Sequence, residues 1–513
     1  MTKPSPVIAI GVDAAELSLI DRWCNEGQLP ALQALRARGS WGVVESSADL
    51  YAGAVWPTFY SACEAPWHGI YHNKLWRSEH MRCEAPTDAW RTQRPFWEHL
   101  DRTRFRMAIV DVPFVLGDFR PLPGLMVGGW QSHDVREQGS YPSELWTELQ
   151  RTHGASAMPP EYYGAQSAAL QQRTADALVR AARQLNQLSA ALLAREPWTL
   201  FLTVFGATHR AGHYLWDFSQ IDAARLSDRE RRDLQGALQR VYRECDQGVG
   251  ELVSRAPDDA RILVFALHGM GKNNGWADRC PDILFRILTR DSGTKPKRGL
   301  IYRVKKALPW RMVREVTTRL PHAVQHRLIS IWSARMFDWR TTRAFPLPMD
   351  SAGFVRINKK GREPEGIVEP GPEYDALCEE LGNAFLTFRD AHSGAPIVRE
   401  VVRADRVAPA TAPYRESLPD LLILWNDVSA IDCRAIRSDR YGEVRWEAGT
   451  TLPSGRSGNH LSRGWWMAAG PNIPRGRRVD GYCTTDLAPT IMSWLGAPLP
   501  GGFQGRPIPE LCE

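Results

Sequence analysis

The sequence has no apolar run long enough to cross a bilayer. Its longest, LSAALLA at 188–194 and ILVFAL at 262–267, fall far short of the roughly 20 residues a membrane helix needs. No transmembrane helix is expected. The opening MTKPSPVIAIGVDAAE carries one lysine and a four-residue apolar run in place of the longer apolar region of a secretory signal, so the expected location is the cytoplasm. The nine cysteines are scattered from Cys24 to Cys512 without a CxxC pair, which argues against a disulfide framework and against a thiolate zinc site. Internal repeats and low-complexity tracts are also missing. What remains, 513 residues with 43% hydrophobic and 24% charged, is the composition of an ordinary folded protein. That length suits two to four domains, or one large α/β core with an inserted lobe.

Val7–Val12 (VIAIGV) is a short β-branched run that ends at Asp13. Leu17, Ile20, Trp23, Leu29, Leu32 and Leu35 then recur at helical spacing from Glu16 to Arg38. Similar apolar runs follow at 107–112, 200–205, 262–267, 421–426 and 465–470, mostly separated by helix-compatible stretches; Thr174–Arg195 is rich in alanine and leucine and predicts one long helix. This alternation predicts an α/β fold: a doubly wound, mainly parallel sheet with helices on both faces.

Residues 290–343 break the pattern, with fourteen Lys or Arg against three acids, about +11 in a chain whose net charge is only +6. Apolar residues at helix-like spacing, interrupted at Pro321, predict a basic helical insertion. The expected division is therefore 1–289, first part of the core; 290–365, a basic, largely helical insertion or lid; and 366–513, second part of the core. A solvated helical face covering the core explains the charge run. An anion-attracting lid, or a patch for nucleic acid or a membrane surface, explains it too.

Asp13 falls at the carboxyl end of the first strand, where open α/β sheets bind ligands. His209 and His213 stand four apart after the strand at 200–205, a spacing that aims two imidazoles at one metal. His268 ends the strand at 262–267, and His460 lies in a glycine-rich loop just before the run at 465–470. Each has an ordinary structural explanation: Asp13 as a helix cap, the histidines as surface or hydrogen-bonded core residues. Their joint placement at strand ends is what points to a site. Asn274, Trp56 and Arg456 stand next to these residues in the chain and are candidate substrate contacts.

Several blocks, in order, carry a resemblance: VIAIGVDAAELSLIDRWCNEGQLPALQALRARGSWGVVES, AVWPTFYSACEAPWHGIY, FGATHRAGH, FALHGMG, GNHLSRGWWMAAGPNIPRG and TTDLAPTIMSWLGAPLPGGFQGRPIPEL. Together they resemble the type I phosphodiesterase/nucleotide pyrophosphatase family of the alkaline phosphatase superfamily. The resemblance implies an alkaline phosphatase-like fold, two divalent ions, usually zinc, and a threonine or serine nucleophile; this chain's own ligands suit one or two. By that likeness Asp13 and His268 are ligands of the second metal and His213 and His460 of the first, with His209 standing where the family has aspartate. The nucleophile position falls on Ala52, which has no hydroxyl, and Leu267 replaces the aspartate before His268. Thr58, Ser61, Ser46 and Ser47 are the nearest hydroxyls.

With Ala52 and Leu267 in those places, three neutral histidines, His209, His213 and His460, would hold zinc with a position open for water. The expected function is a metal-dependent hydrolase of small anionic phosphate esters, foremost a phosphodiesterase, using metal-bound hydroxide. Asp13 and His268 alone could hold only a weak second ion, or Asp13 could serve as general base and His268 as proton donor or substrate anchor. Two rivals stand beside it: a non-catalytic relative that binds a ligand or partner, and a sulfatase or phosphoryl transferase of the same superfamily.

Overall fold

The structure, a computed structural model, describes residues 5–87, 93–115, 119–132, 138–162, 164, 166–221, 223–291, 337–446 and 452–512. They form two compact units: residues 1–68, 87–272 and 455–513 make the first, and 69–86 with 273–454 the second. The expected basic insertion lies mostly outside the described residues.

Twelve strands of the first unit are labelled in chain order. They are β1 (Val7–Val12), β2 (Ser40–Glu45), β3 (Met107–Val110), β4 (Gly124–Gly128), β5 (Gly139–Tyr141), β6 (Leu200–Phe205), β7 (Arg261–Ala266), β8 (Gly269–Lys272), β9 (Gly458–Leu461), β10 (Arg463–Ala469), β11 (Arg477–Arg478) and β12 (Tyr482–Cys483). Ten of them build one sheet in the order β11-β2-β10-β7-β1-β6-β3-β4-β5, with β12 also on β2. Its centre, β7-β1-β6-β3-β4, is parallel throughout. The run at 465–470, expected to join that parallel set, instead pairs antiparallel with both β7 and β2.

Strand alternation sorts the two faces. Ile8, Ile10, Val12, Phe201, Phe205, Ile262 and Val264 enter one large core with the helices α1 (Leu17–Asn25), α2 (Pro30–Arg38), α5 (Ser143–His153), α6 (Ala168–Leu193) and α8 (Ala237–Arg255). The opposite face carries α4 (Val55–Ser61), whose Trp56 and Phe59 rings lie 6.0 and 5.0 Å from Phe265, and α9 (Thr484–Trp494) packs on α4. The helix expected over 16–38 is two helices, because Pro30 opens the second one, where proline's missing N–H costs no hydrogen bond.

The second unit is built around a different sheet. Ala344–Pro346, Gly353–Ile357, Leu421–Trp425 and Val398–Arg403 pair in that order, all antiparallel, with a separate core that includes Trp276, Ile283, Phe385 and Ile423. The second unit thus takes in residues 69–86 and 273–454, whereas the division expected from the sequence falls at 290 and 365. The run LLILW misleads because a strand buried on both faces reads as continuous hydrocarbon in either sheet type.

Candidate metal centre

Three neighbouring parallel strands deliver the site. β1 lies between β6 and β7, so the chain crosses over β1 in passing from one to the other, and at such a switch point the carboxyl ends of the strands diverge to leave a crevice. Asp13 follows β1, and its N–H continues the ladder to Phe205 O at 3.0 Å. Ala14 then turns the chain with φ +55°. α7 (Ala207–Tyr214) follows β6 and carries His209 and His213 one turn apart on one face. His268 follows β7.

His460 is not in a loop, as the sequence suggests, but in β9. β8 and β9 form a two-stranded antiparallel ribbon that sets His460 opposite Met270. Gly458 makes this approach feasible: a Cβ there would stand 2.1 Å from Gly212 O in α7. Gly11 has a matching role under Trp56, where a Cβ would meet the indole at 2.9 Å. The indole therefore lies across β1 with its N–H on Asp13.

The hydrogen bonds fix the ring orientations. Trp56 Nε1 donates to Asp13 Oδ1 at 2.8 Å, and His209 Nδ1 donates to Asp13 Oδ2 at 2.8 Å. His213 Nδ1 donates to Gly458 O at 3.0 Å. Burial alone would raise the Asp13 pKa, but the His209 and His268 imidazoles and the Trp56 N–H hold its carboxyl well below the usual range, so it accepts as an anion. Burial, reinforced by the Arg456 cation and the neighbouring rings, pushes His213 well below its ordinary value. It is therefore neutral. The Nε2 atoms of His209 and His213 lie 3.0 Å apart, close enough for both to ligate one cation.

His460 closes the group. Its ring centroid lies 5.0 Å from that of His209 and 4.8 Å from those of His213 and His268. One ligand atom from each of His209, His213 and His460 falls within 4.8 Å of the others, and among the described residues this is the one set of three or more such side chains able to hold a metal. The donors fit a borderline-soft divalent ion. Two of them also have the supporting acceptor, a carboxylate or a backbone carbonyl, that metal-binding imidazoles use. His268 is 2% exposed with neither ring nitrogen hydrogen-bonded, and burial pushes its pKa down to about 4.

The other expected residues divide. Trp56 is buried and spends its N–H on Asp13. Arg456 lies 3.7 Å from Glu161 and sends its positive field toward His213. Asn274 belongs to the second unit, where its side chain accepts the Trp276 N–H at 3.2 Å. Ala52 opens a one-turn helix, Ala52–Ala54, just after α3 (Ala48–Tyr51), which packs on β9. Leu267 is wholly buried. Of the hydroxyls nearest Ala52, Thr58 bonds His68 at 3.1 Å, Ser61 bonds Pro57 O and Ser46 bonds Ser462 O, whereas Ser47 Oγ is buried without a partner.

A small cleft lies beside Asp13 and His209. Its lining includes Asp111, Gln131, Ser132 and Arg210. Asp111, at φ +56°, accepts the N–H groups of Trp130, Gln131 and Ser132 at 2.7, 2.6 and 3.3 Å; even so, burial pushes its pKa up to about 6. Ser132 Oγ is buried without a partner. In sequence, DVP (111–113) and GGW (128–130) resemble loops that frame the family's pocket, and strand-ending turns explain them equally well.

The sequence profile described as type I phosphodiesterase / nucleotide pyrophosphatase matches residues 7–432. The chain belongs to this family. Membership indicates a hydrolase of phosphoryl esters. Among solved structures, phosphonoacetate hydrolase from Sinorhizobium meliloti 1021, in complex with phosphonoformate, aligns over 96% of both chains at 13% identity and TM-score 0.50. Human ectonucleotide pyrophosphatase/phosphodiesterase 5 aligns over 96% of both at 11% identity and TM-score 0.46. A likeness at that identity is one of fold. No curated protein sequence matches. Among the described residues no helix is long and apolar enough to cross a membrane.

Proposed function

We propose that the chain is a divalent-metal-dependent hydrolase of phosphate esters, with diesters its main substrates. The observation that carries this reading is the convergence of the His209 and His213 Nε2 atoms beside His460, each of the first two rings turned by an acceptor behind it. Three neutral imidazoles suit zinc. When bound, such an ion supplies Lewis acidity and lowers the pKa of a coordinated water to about 7.

The surrounding residues supply the rest. Arg456 and Arg210, which flank the carboxylate of Glu161 at 3.7 and 3.9 Å, bring two guanidinium groups that can pair with an anionic phosphoryl group. His268, neutral at physiological pH, has an N–H to donate to a phosphoryl oxygen. Asp13 holds His209 in place. The cleft at Ser132 takes the hydrogen-bonding part of the alcohol. Nine cysteines without a disulfide support a reducing, cytoplasmic setting.

The test is hydrolysis of bis(p-nitrophenyl) phosphate by zinc-loaded protein, beside the monoester. Turnover that a chelator abolishes, that zinc restores and that His213→Ala eliminates supports the proposal. The second reading, a binding protein that keeps the fold, is favoured by the methyl group at Ala52. It wins if the wild type and Ala52→Thr are both indistinguishable from the uncatalysed rate while a phosphate ester still binds.

A further inference from the structure

We infer that this chain is built for one metal ion, not a pair, and that Asp13 serves that ion as the carboxylate that orients His209, not as a ligand. The inference rests on the metal-site reading above and goes beyond it, because the family resemblance implies Asp13 and His268 as ligands of a second ion.

The side chains of this site allow one ion and starve the other. His209, His213 and His460 form a complete three-donor set, the usual number for a site that keeps one position open. A second ion would have Asp13 and His268 and nothing more from the residues that the resemblance assigns to it. Leu267 is a fully buried hydrocarbon, and Ala52 presents a methyl group.

Asp13 is also committed elsewhere. Its two oxygens accept from two different donors, Trp56 Nε1 and His209 Nδ1, both at 2.8 Å. The bond to His209 decides the chemistry of that ring. A carboxylate on Nδ1 fixes the proton there, turns Nε2 toward His213 and raises the basicity of Nε2, the outer-shell arrangement that metal-binding histidines use. His213 has the same arrangement with Gly458 O. Asp13 is thus a positioning residue that acts through His209. His268, left with two unpaired ring nitrogens in a buried place, is then available to the substrate.

The experiment is a metal count followed by an affinity measurement, neither of which needs turnover. The intact chain is saturated with zinc, freed of loose metal by gel filtration, and analysed for zinc by elemental analysis. One zinc per chain is expected. Two would overturn the inference and leave the metal-dependent hydrolase standing, whereas none would overturn both. Zinc affinity is then measured by competition with a chromophoric chelator. Asp13→Asn should weaken binding by about 10- to 100-fold while the count at saturation stays at one, and His213→Ala should abolish tight binding. Circular dichroism checks that each variant is folded. Affinity unchanged in a folded Asp13→Asn would overturn the positioning role. Should that variant fail to fold, Trp56→Phe, which removes only the other donor to Asp13, is expected to weaken zinc binding in the same direction. No change there would overturn the role equally.

Discussion

Replacing Gly458 by alanine should dismantle the site without touching any side chain in it. The added Cβ would sit 2.1 Å from Gly212 O, whereas carbon and oxygen in contact keep about 3.3 Å, so β9 or α7 must retreat by about 1 Å. That retreat stretches the His213 Nδ1 to Gly458 O bond from 3.0 Å toward ~4 Å, beyond useful hydrogen-bonding range, and carries His460 away with β9. A displacement of 1 Å at a reacting centre costs about 100-fold in rate, and loss of the acceptor behind His213 costs another 10- to 100-fold in metal affinity. The β8-β9 ribbon is separate from the central sheet, so the fold should survive. Zinc affinity by chelator competition and diester hydrolysis at saturating zinc are the assays. Gly501→Ala, where a Cβ meets nothing within 4 Å, is the control. Affinity and rate within twofold of the wild type would refute the claim that the close approach of β9 to α7 sets the geometry.

Trp56→Phe keeps an aromatic ring on β1 but takes a charge-assisted hydrogen bond from a buried carboxylate, worth about 1.5–3 kcal/mol. Urea unfolding should show a loss of that order, and a loss below ~0.5 kcal/mol would mean the bond matters little. Ser132→Ala removes a hydroxyl that has no partner in the fold, so the melting temperature should hold steady. KM for a diester with a hydrogen-bonding alcohol should rise roughly 2- to 10-fold, and an unchanged KM would take Ser132 out of the substrate cleft. In the second unit, burial alone would raise Asp420, but Arg362, with two bonds of 2.7 Å, pushes it down from 3.8 to about 2. The folded pKa lies below the unfolded one, so the resulting stability, about 2 kcal/mol, is present above pH ~4 and lost as pH falls through ~2. The deficit of Asp420→Asn relative to wild type should therefore shrink over that window in urea titrations, and a deficit independent of pH would contradict the assignment.

The local chemistry of the site was legible in the chain. Strands ending in Asp13 and His268, and two histidines one helical turn apart, need only short-range periodicity to recognise, because strand and helix place side chains by fixed repeats of two and 3.6 residues. The order of the family's blocks then supplied the fold.

Tertiary structure decided which of those residues meet. Asp13 reads as a ligand in sequence. Only the packing of α4 over Gly11 and of α7 beside β1 reveals that its oxygens are occupied by Trp56 and His209. His460 reads as a loop residue because β9 is four residues long and pairs with β8, a partner nearly two hundred positions away. The unpartnered Ser132 hydroxyl and the second unit's antiparallel sheet were hidden for the same reason: a buried apolar strand looks alike in either sheet, and a hydroxyl's lack of a partner is a property of its neighbours in space. Sequence determines which donors exist and in what local geometry. Which of them meet, and which are already spent, is set by contacts between segments far apart in the chain.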